Sequence, residues 1–347
     1  MIYPAVYLGL AITALLAGRR SEQVLLVLAL LLLLVFMGTR YYVGCDFHGY
    51  LVRFENTPPD ASVWQAFALN EPLFQALTLW VVGAGLDYMW LNLTATMIIV
   101  AGWWRFLKVQ DNPMVILALM FPIIGLQLSM SGLRQAIAVA LLMVATVHWV
   151  RGQRLWTAVW ILLGAQFHTS MYAFLPMSFL AGRQISTLRL ALSVALLMPV
   201  AGFLLQDRLN VYIDRYVTQI YGETSSGGAY VRYALNLLPV PFFLAVRDTV
   251  RARFPRRYEL LKLFAVIILV LAPVGLWSSI ALHRLNYYVM PFSILIFTTT
   301  AEAMFRPAQK RLAFVLPLLA YGGYMGFWLS ASRHARECYI PYDSYLF

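Results

Sequence analysis

Apolar residues fall in long runs near 3–17, 22–38, 72–86, 89–107, 113–130, 135–150, 155–181, 187–205, 233–246, 260–278, 285–304 and 312–330. A helix of about 20 apolar residues crosses a bilayer. The pattern therefore predicts an all-α polytopic membrane protein with about 11–13 transmembrane or re-entrant helices. Residues 1–347 read as a single integral membrane domain. Polar stretches at Thr39–Asn70 and Gln206–Arg232 interrupt the runs, and both are assigned to the outer, periplasmic face. In the second, Leu209, Tyr212, Ile213, Tyr216, Val217 and Ile220 recur at helical spacing, which predicts an amphipathic helix in the interface. Gly222 to Gly228 then reads as a hinge or lid.

Basic residues orient these elements. Clusters at Arg19-Arg20, Arg105 with Lys108, Arg151 with Arg154, Arg183 with Arg189, Arg247 to Arg257 and Arg306 to Arg311 are assigned to the cytoplasm by the positive-inside rule. Arg19-Arg20 follows the apolar run from Ile2 to Ala17, which predicts a first span starting outside rather than a cleavable signal. Both ends of the chain are expected on the periplasmic side. Two stretches break the parity. Only one crossing fits between an outside Glu71 and an inside Arg105, yet 71–86 and 89–107 are both apolar. Residues 155–181 have basic flanks at both ends and make one long span or two short ones. A re-entrant or broken helix resolves each case, and such backbone persists at membrane depth only where it lines a cavity. The alternative is that one basic cluster departs from the rule.

Composition narrows the class. The chain is 61% apolar and 12% charged, with a mean hydropathy of +0.72, against about 45–50% and 25% in soluble domains. A soluble enzyme, a disordered chain and a nucleic-acid-binding domain are excluded. The net charge of +11 comes from arginine, since Lys108, Lys262 and Lys310 are the only lysines. The basic residues assigned to the outer face are Arg40, Arg53, Arg134, Arg208, Arg215, Arg232, Arg284, Arg333 and Arg336. Guanidinium grips phosphate through a planar fork, so this set suggests anion chemistry on that face. Two cysteines make neither a disulfide framework nor a zinc site. Cys45 and Cys338 both lie on the oxidising side, as a pair tying the 338–347 segment over the outer loop or as two free thiols.

Four constellations carry candidate chemistry. Arg40 to Tyr50 places a cation, Asp46, His48 and three phenols at the outer end of the second run. Ser129 to Gln135 sets Arg134 in a loop too short to leave the membrane surface, where an ionisable residue is costly. His168 lies mid-run within Phe167-His168-Thr169-Ser170, and His283-Arg284 opens a later span. His148 and His334 read as structural. No carboxylate cluster of the Asp-x-Asp kind is present, so metal independence is expected.

Read in order, Arg40…Gly44-Cys45-Asp46…Tyr50, Glu71-Pro72-Leu73-Phe74, Leu133-Arg134-Gln135-Ala136-Ile137-Ala138 and Phe167-His168-Thr169-Ser170 resemble the EpsG family. That family is one branch of the Wzy-type polysaccharide polymerases of bacterial inner membranes. The similarity continues more loosely through His283-Arg284 and Tyr339-Ile340-Pro341-Tyr342. Cys45 departs from it, since the family more often has Thr before the Asp. The resemblance implies a GT-C-like glycosyltransferase on the periplasmic face. It would transfer a growing glycan from undecaprenyl pyrophosphate onto a lipid-linked repeat unit, without a cofactor. Partners implied are undecaprenyl-pyrophosphate-linked oligosaccharides, the bilayer and a chain-length regulator, with no nucleic acid. On this reading Arg40, Arg134 and Arg284 hold the pyrophosphate, with Arg232 as a fourth. Tyr50, Gln135, His48 and His283 are further substrate contacts, and Asp46, Glu71 and His168 are candidate bases. A lipid-linked glycan flippase and an O-antigen ligase are the rival readings. Flippases usually show symmetric halves and ligases a larger periplasmic domain. A rhomboid-like protease is more distant, because Ser129-Met130-Ser131-Gly132 lacks the first Gly of that nucleophile motif.

Overall fold

A computed structural model describes all residues except 1, 19–20, 63, 65–70, 193–194 and 196–226. The expected amphipathic helix at 209–220 and most of the Gly222–Gly228 hinge lie outside the described residues. The described chain is all-helical, apart from one isolated antiparallel bridge between Arg40 and Ser344. By length and composition four helices can cross a membrane: Leu133–Val150, Pro255–Leu276, Ser279–Met304 and Gln309–Ala331. A fifth is available if the bent pair Gly228–Ala245 and Arg247–Arg253 counts as one span. Shorter apolar helices include Ile2–Leu16, Glu22–Gly38, Pro72–Gly83, Pro113–Leu128 and Arg154–Ala165. The described residues fall into two compact units.

The first unit comprises Met1–Val144, Leu163–Thr169 and Pro307–Phe347. Its centre is α6, which runs as an α-helix over Pro113–Met120 and widens to a π-helix over Phe121–Leu128. Every residue of it is buried, as an element apolar all round must be. Helices α1 (Ile2–Leu16), α2 (Glu22–Gly38) and α15 (Pro307–Ala331) pack on it, and α2 also packs along α5 (Tyr88–Leu107). Pro122 has no N–H to offer the preceding turn, and π-turns release carbonyls. At the end of the π-helix the Ser129 hydroxyl donates to the Ile124 carbonyl at 2.7 Å, and Tyr339 donates to that of Gln127 at 3.2 Å.

The two parity problems resolve into short helices. Residues 71–107 form α4 (Pro72–Gly83) and α5, joined by a turn in which Asp87 accepts from the Met89 N–H at 3.1 Å. Twelve residues of α4 rise only about 18 Å, short of a hydrocarbon core of about 30 Å. Helix α7 spans Leu133–Val150. After it, residues 153–181 form α8 (Arg154–Ala165), a 3-10 turn (Thr169–Phe174) and α9 (Met177–Leu180). Their two ends meet. Gly152 and Gly182 adopt φ of +75° and +70°, and a Cβ on Gly182 would stand 2.7 Å from the Gly152 Cα. Trp149 donates to the Met177 carbonyl at 2.8 Å. The segment is thus a hairpin of two short limbs whose basic flanks, Arg151, Arg154 and Arg183, share one end.

The second unit comprises Ala145–Leu162 and Ser170–Arg306. Helix α14 (Ser279–Met304) runs through it against α10 (Gly227–Leu237), α11 (Pro239–Ala245) and α13 (Pro255–Trp277), with α12 spanning Arg247–Arg253. Buried amides lock α10 to α14: Asn236 donates to Asn286 Oδ1 at 3.0 Å, and Asn286 donates to the Ala229 carbonyl at 2.9 Å. His148 bonds Gln153 at 2.6 Å through Nδ1 and stacks on Trp160, in keeping with its structural reading.

Candidate functional site

The end of α2 and the turn after it are built around Arg40, which is fully buried. Its Nη1 donates to the Met37 carbonyl at 2.5 Å, one of the orphan carbonyls of a helix end. Nε donates to Val43 and Met130 carbonyls at 3.1 Å each, and Nη2 to Asn92 Oδ1 at 3.2 Å. Met130 lies in the turn that follows α6. Gly44 makes this approach feasible. Its φ is +103°, and a Cβ there would lie 1.8 Å from the Met130 oxygen. Arg40 therefore differs from the sequence expectation: its guanidinium is spent inside the protein and presents no surface to a pyrophosphate.

The 333–347 segment straps this turn. Its first residues form α16 (Arg333–Cys338). Cys45 and Cys338 form a disulfide, and the Gly44 N–H donates to the Cys338 carbonyl at 2.7 Å. Tyr41 and Tyr345 N–H groups pair with Asp343 and Thr39 carbonyls, and Tyr342 stacks on Phe36 at 4.8 Å.

Beyond the strap comes α3 (Phe47–Glu55). Asp46 precedes it with an exposed side chain, and its N–H donates to Ser131 Oγ at 3.2 Å. Three residues on, Arg134 ion-pairs with Glu71 through Nη1, while its Nε donates to the Tyr50 hydroxyl at 3.3 Å. The Glu71 side chain is 3% exposed and that of Arg134 is 28% exposed. The pair therefore keeps a guanidinium face accessible, which Arg40 does not. Burial holds the Tyr50 phenol above its ordinary pKa, so it stays protonated beside Arg134.

Glu71 is held unusually. It adopts φ 60°, ψ 58°, a left-handed conformation costly for a residue with a side chain. Pro72 then opens α4 with φ preset for a helix. The Glu71 carbonyl accepts from the Phe74 and Gln75 N–H groups, and the Leu73 N–H donates to the Gln166 carbonyl at 3.2 Å. The Gln166 turn is thereby joined to the start of α4, and His168 two residues on is buried. Gln135 is buried next to Arg134, whereas His48 is exposed on the face of α3 away from buried Phe47 and Tyr50.

In the second unit, buried Arg232 contacts His283 Nδ1 and lies 5.5 Å from the Tyr287 ring centroid. Arg284 is half-buried on the same helix as His283. The structure therefore brings together Tyr50, Glu71 and Arg134, with Asp46 tied in through Ser131. Separately, it brings Arg232 to His283. Sequence reading missed Asn92 and Gln166. Only Asn92 carried a signal, as an amide inside an apolar run.

No curated protein and no solved structure shows significant similarity to the chain. The motifs that gather Tyr50, Glu71 and Arg134 lie within a family match spanning residues 23–344, and by that match the chain belongs to the EpsG family, consistent with Wzy-type polysaccharide polymerases.

Proposed function

We propose that this protein is a glycan polymerase of the bacterial inner membrane. It transfers a growing polysaccharide from undecaprenyl pyrophosphate onto a lipid-linked repeat unit at the periplasmic face. The observation that carries the reading is the partly accessible Arg134, fixed by buried Glu71 and Tyr50 in a chain of this family. The Cys45–Cys338 disulfide supports the outward assignment of this end, because such bonds persist in oxidising compartments.

In the proposed step the acceptor hydroxyl oxygen attacks the anomeric carbon of the donor sugar. The bond from that carbon to the pyrophosphate oxygen breaks, and its electron pair leaves with the lipid pyrophosphate. The hydroxyl proton passes to a general base. Arg134 stabilises the charge growing on the leaving oxygen with a donor already in place. Glu71 is committed to Arg134 as its positioning carboxylate, which leaves Asp46 and His168 as bases. Arg232, which contacts His283, and Arg284 belong to the second unit and are given no part in this step. The lipid tail needs an apolar bilayer-facing surface, which exposed Leu28, Leu31, Leu32 and Val35 on α2 provide.

The test is the lipid-linked glycan profile of a deletion strain. Loss of a polymerase leaves single repeat units on the carrier outside the membrane, and the wild-type copy restores ladders. Absence of exposed repeat units in the deletion strain would instead identify a flippase and overturn the reading.

A further inference from the structure

A cavity of about 240 Å³ opens between α3, α4 and the start of α5, with the Tyr50 ring as one wall. Its position is set by the residues just described. Tyr50 turns its hydroxyl to Arg134 and its ring to the cavity, and Phe74 and Gln75 follow the strained Glu71 by one helical turn. Phe54 and Phe74 complete an apolar lining, and the Tyr50 and Phe74 rings lie 5.5 Å apart.

Against these rings the cavity sets Gln75, Thr78 and Arg53. Thr78 donates to the Phe74 carbonyl at 3.0 Å, leaving its oxygen able to accept. The Gln75 amide and the Arg53 guanidinium have no side-chain partner among the described residues. No carboxylate among the described residues lines the cavity. It therefore combines flat apolar faces, an unused amide and one uncompensated cation. Its volume lies below the usual range of about 300–1,000 Å³ for drug-sized ligands, which suits one ring rather than an extended chain.

We propose that this cavity seats a single acidic pyranose of the lipid-linked glycan, such as a uronic acid. Its ring lies on the aromatic wall, its hydroxyls meet Gln75 and Thr78, and its carboxylate meets Arg53. The inference rests on the polymerase reading and deepens it, because the wall residue Tyr50 also contacts Arg134. A pyranose is apolar on its axial C–H face and polar around its rim, matching the distribution here. A carboxylate is a group that a guanidinium can pair with through two parallel hydrogen bonds.

The experiment is saturation-transfer NMR on the purified protein in phosphatidylcholine nanodiscs, with methyl glucuronide and methyl glucoside as probes. Ring protons of the glucuronide should saturate more strongly than those of the neutral sugar. Arg53→Gln should erase that preference, a change of about threefold for an exposed ion pair. Gln75→Ala and Phe54→Ala should weaken both sugars, and Arg251→Ala should weaken neither. Failure of both sugars to saturate, or an unchanged preference in Arg53→Gln, would overturn the subsite. Displacement of glucuronide by equimolar inorganic phosphate or by phosphatidylglycerol in the discs would also overturn it, as that behaviour marks a general anion site. Wild-type ladders without glucuronide saturation refute the subsite and leave the polymerase standing. Arg53-dependent saturation in a protein that forms no ladders does the reverse.

Discussion

Replacing Arg40 separates a structural cation from a substrate-binding one. Arg40→Met keeps most of the side-chain length and removes the guanidinium from a fully buried site. The Met37, Val43 and Met130 carbonyls lose their charged donor, and so does Asn92. A buried carbonyl without a partner costs about 1–3 kcal/mol, so three of them bracket roughly 3–9 kcal/mol before relaxation. Removing the guanidinium also lifts the cost of burying a charge whose hydrogen-bond partners are neutral, which offsets part of this, and a value of about 4 kcal/mol is expected. That is about a thousandfold in the folded-to-unfolded ratio, or roughly 5 °C in thermal midpoint for a chain of this length. Arg40→Lys keeps a charge and three donors but not the fork, and should fall between. The assay pairs the thermal midpoint in detergent with polymerising activity per folded molecule. The midpoint should drop and specific activity should hold. An Arg40→Met protein with a wild-type midpoint and a hundredfold loss of turnover would refute the reasoning and return Arg40 to the substrate.

Arg134 should behave in the opposite way. The neutral double variant Glu71→Gln/Arg134→Gln is expected to retain its thermal midpoint and lose ladder formation by about a hundredfold, the scale of one removed oxyanion donor; full ladders from Arg134→Lys would reduce its role to diffuse charge. Gly44→Ala forces a Cβ to 1.8 Å from the Met130 oxygen at φ +103°. It should cost at least about 2 kcal/mol, visible as a lower midpoint and less membrane-inserted protein. Cys45→Ser should abolish the mobility shift on reduction and speed proteolytic clipping within residues 339–347. Arg251→Ala and Arg256→Ala, both on exposed residues of the Arg247–Arg257 cluster, should leave ladders unchanged in the complemented deletion strain.

The helical class was legible because apolar runs of this length have few alternatives. The broken segment at 155–181 was legible too, since basic residues at both ends of one run cannot face opposite sides. Which limb turned where was not, because the closure depends on Gly152 meeting Gly182 across thirty residues of chain. At the candidate site, the cost of an ionisable residue at the membrane surface singled out Arg134, and the family motif singled out Glu71. It mistook Arg40, because sequence shows that an arginine stands at a helix end but not where its guanidinium points. The clues were weak ones: Gly44 four residues on, and Asn92 as a lone amide needing a partner. The π-helix at Phe121–Leu128 was hinted at only by Pro122.

The strap over α2 gives the protein a schedule for its biogenesis. Cys338 follows Cys45 by 293 residues, and translation at about 5–20 residues per second separates their arrivals by about 15–60 s. Throughout that interval Cys45 is a thiol without its mate, and the turn around Arg40 lacks the backbone partners at Cys338, Asp343 and Ser344. Two nascent chains side by side could join through their Cys45 thiols before either has made its own bond. Closure of this turn thus waits until residues 338–344 have been made, and where the bond forms a disulfide isomerase would set the yield of correctly closed monomers.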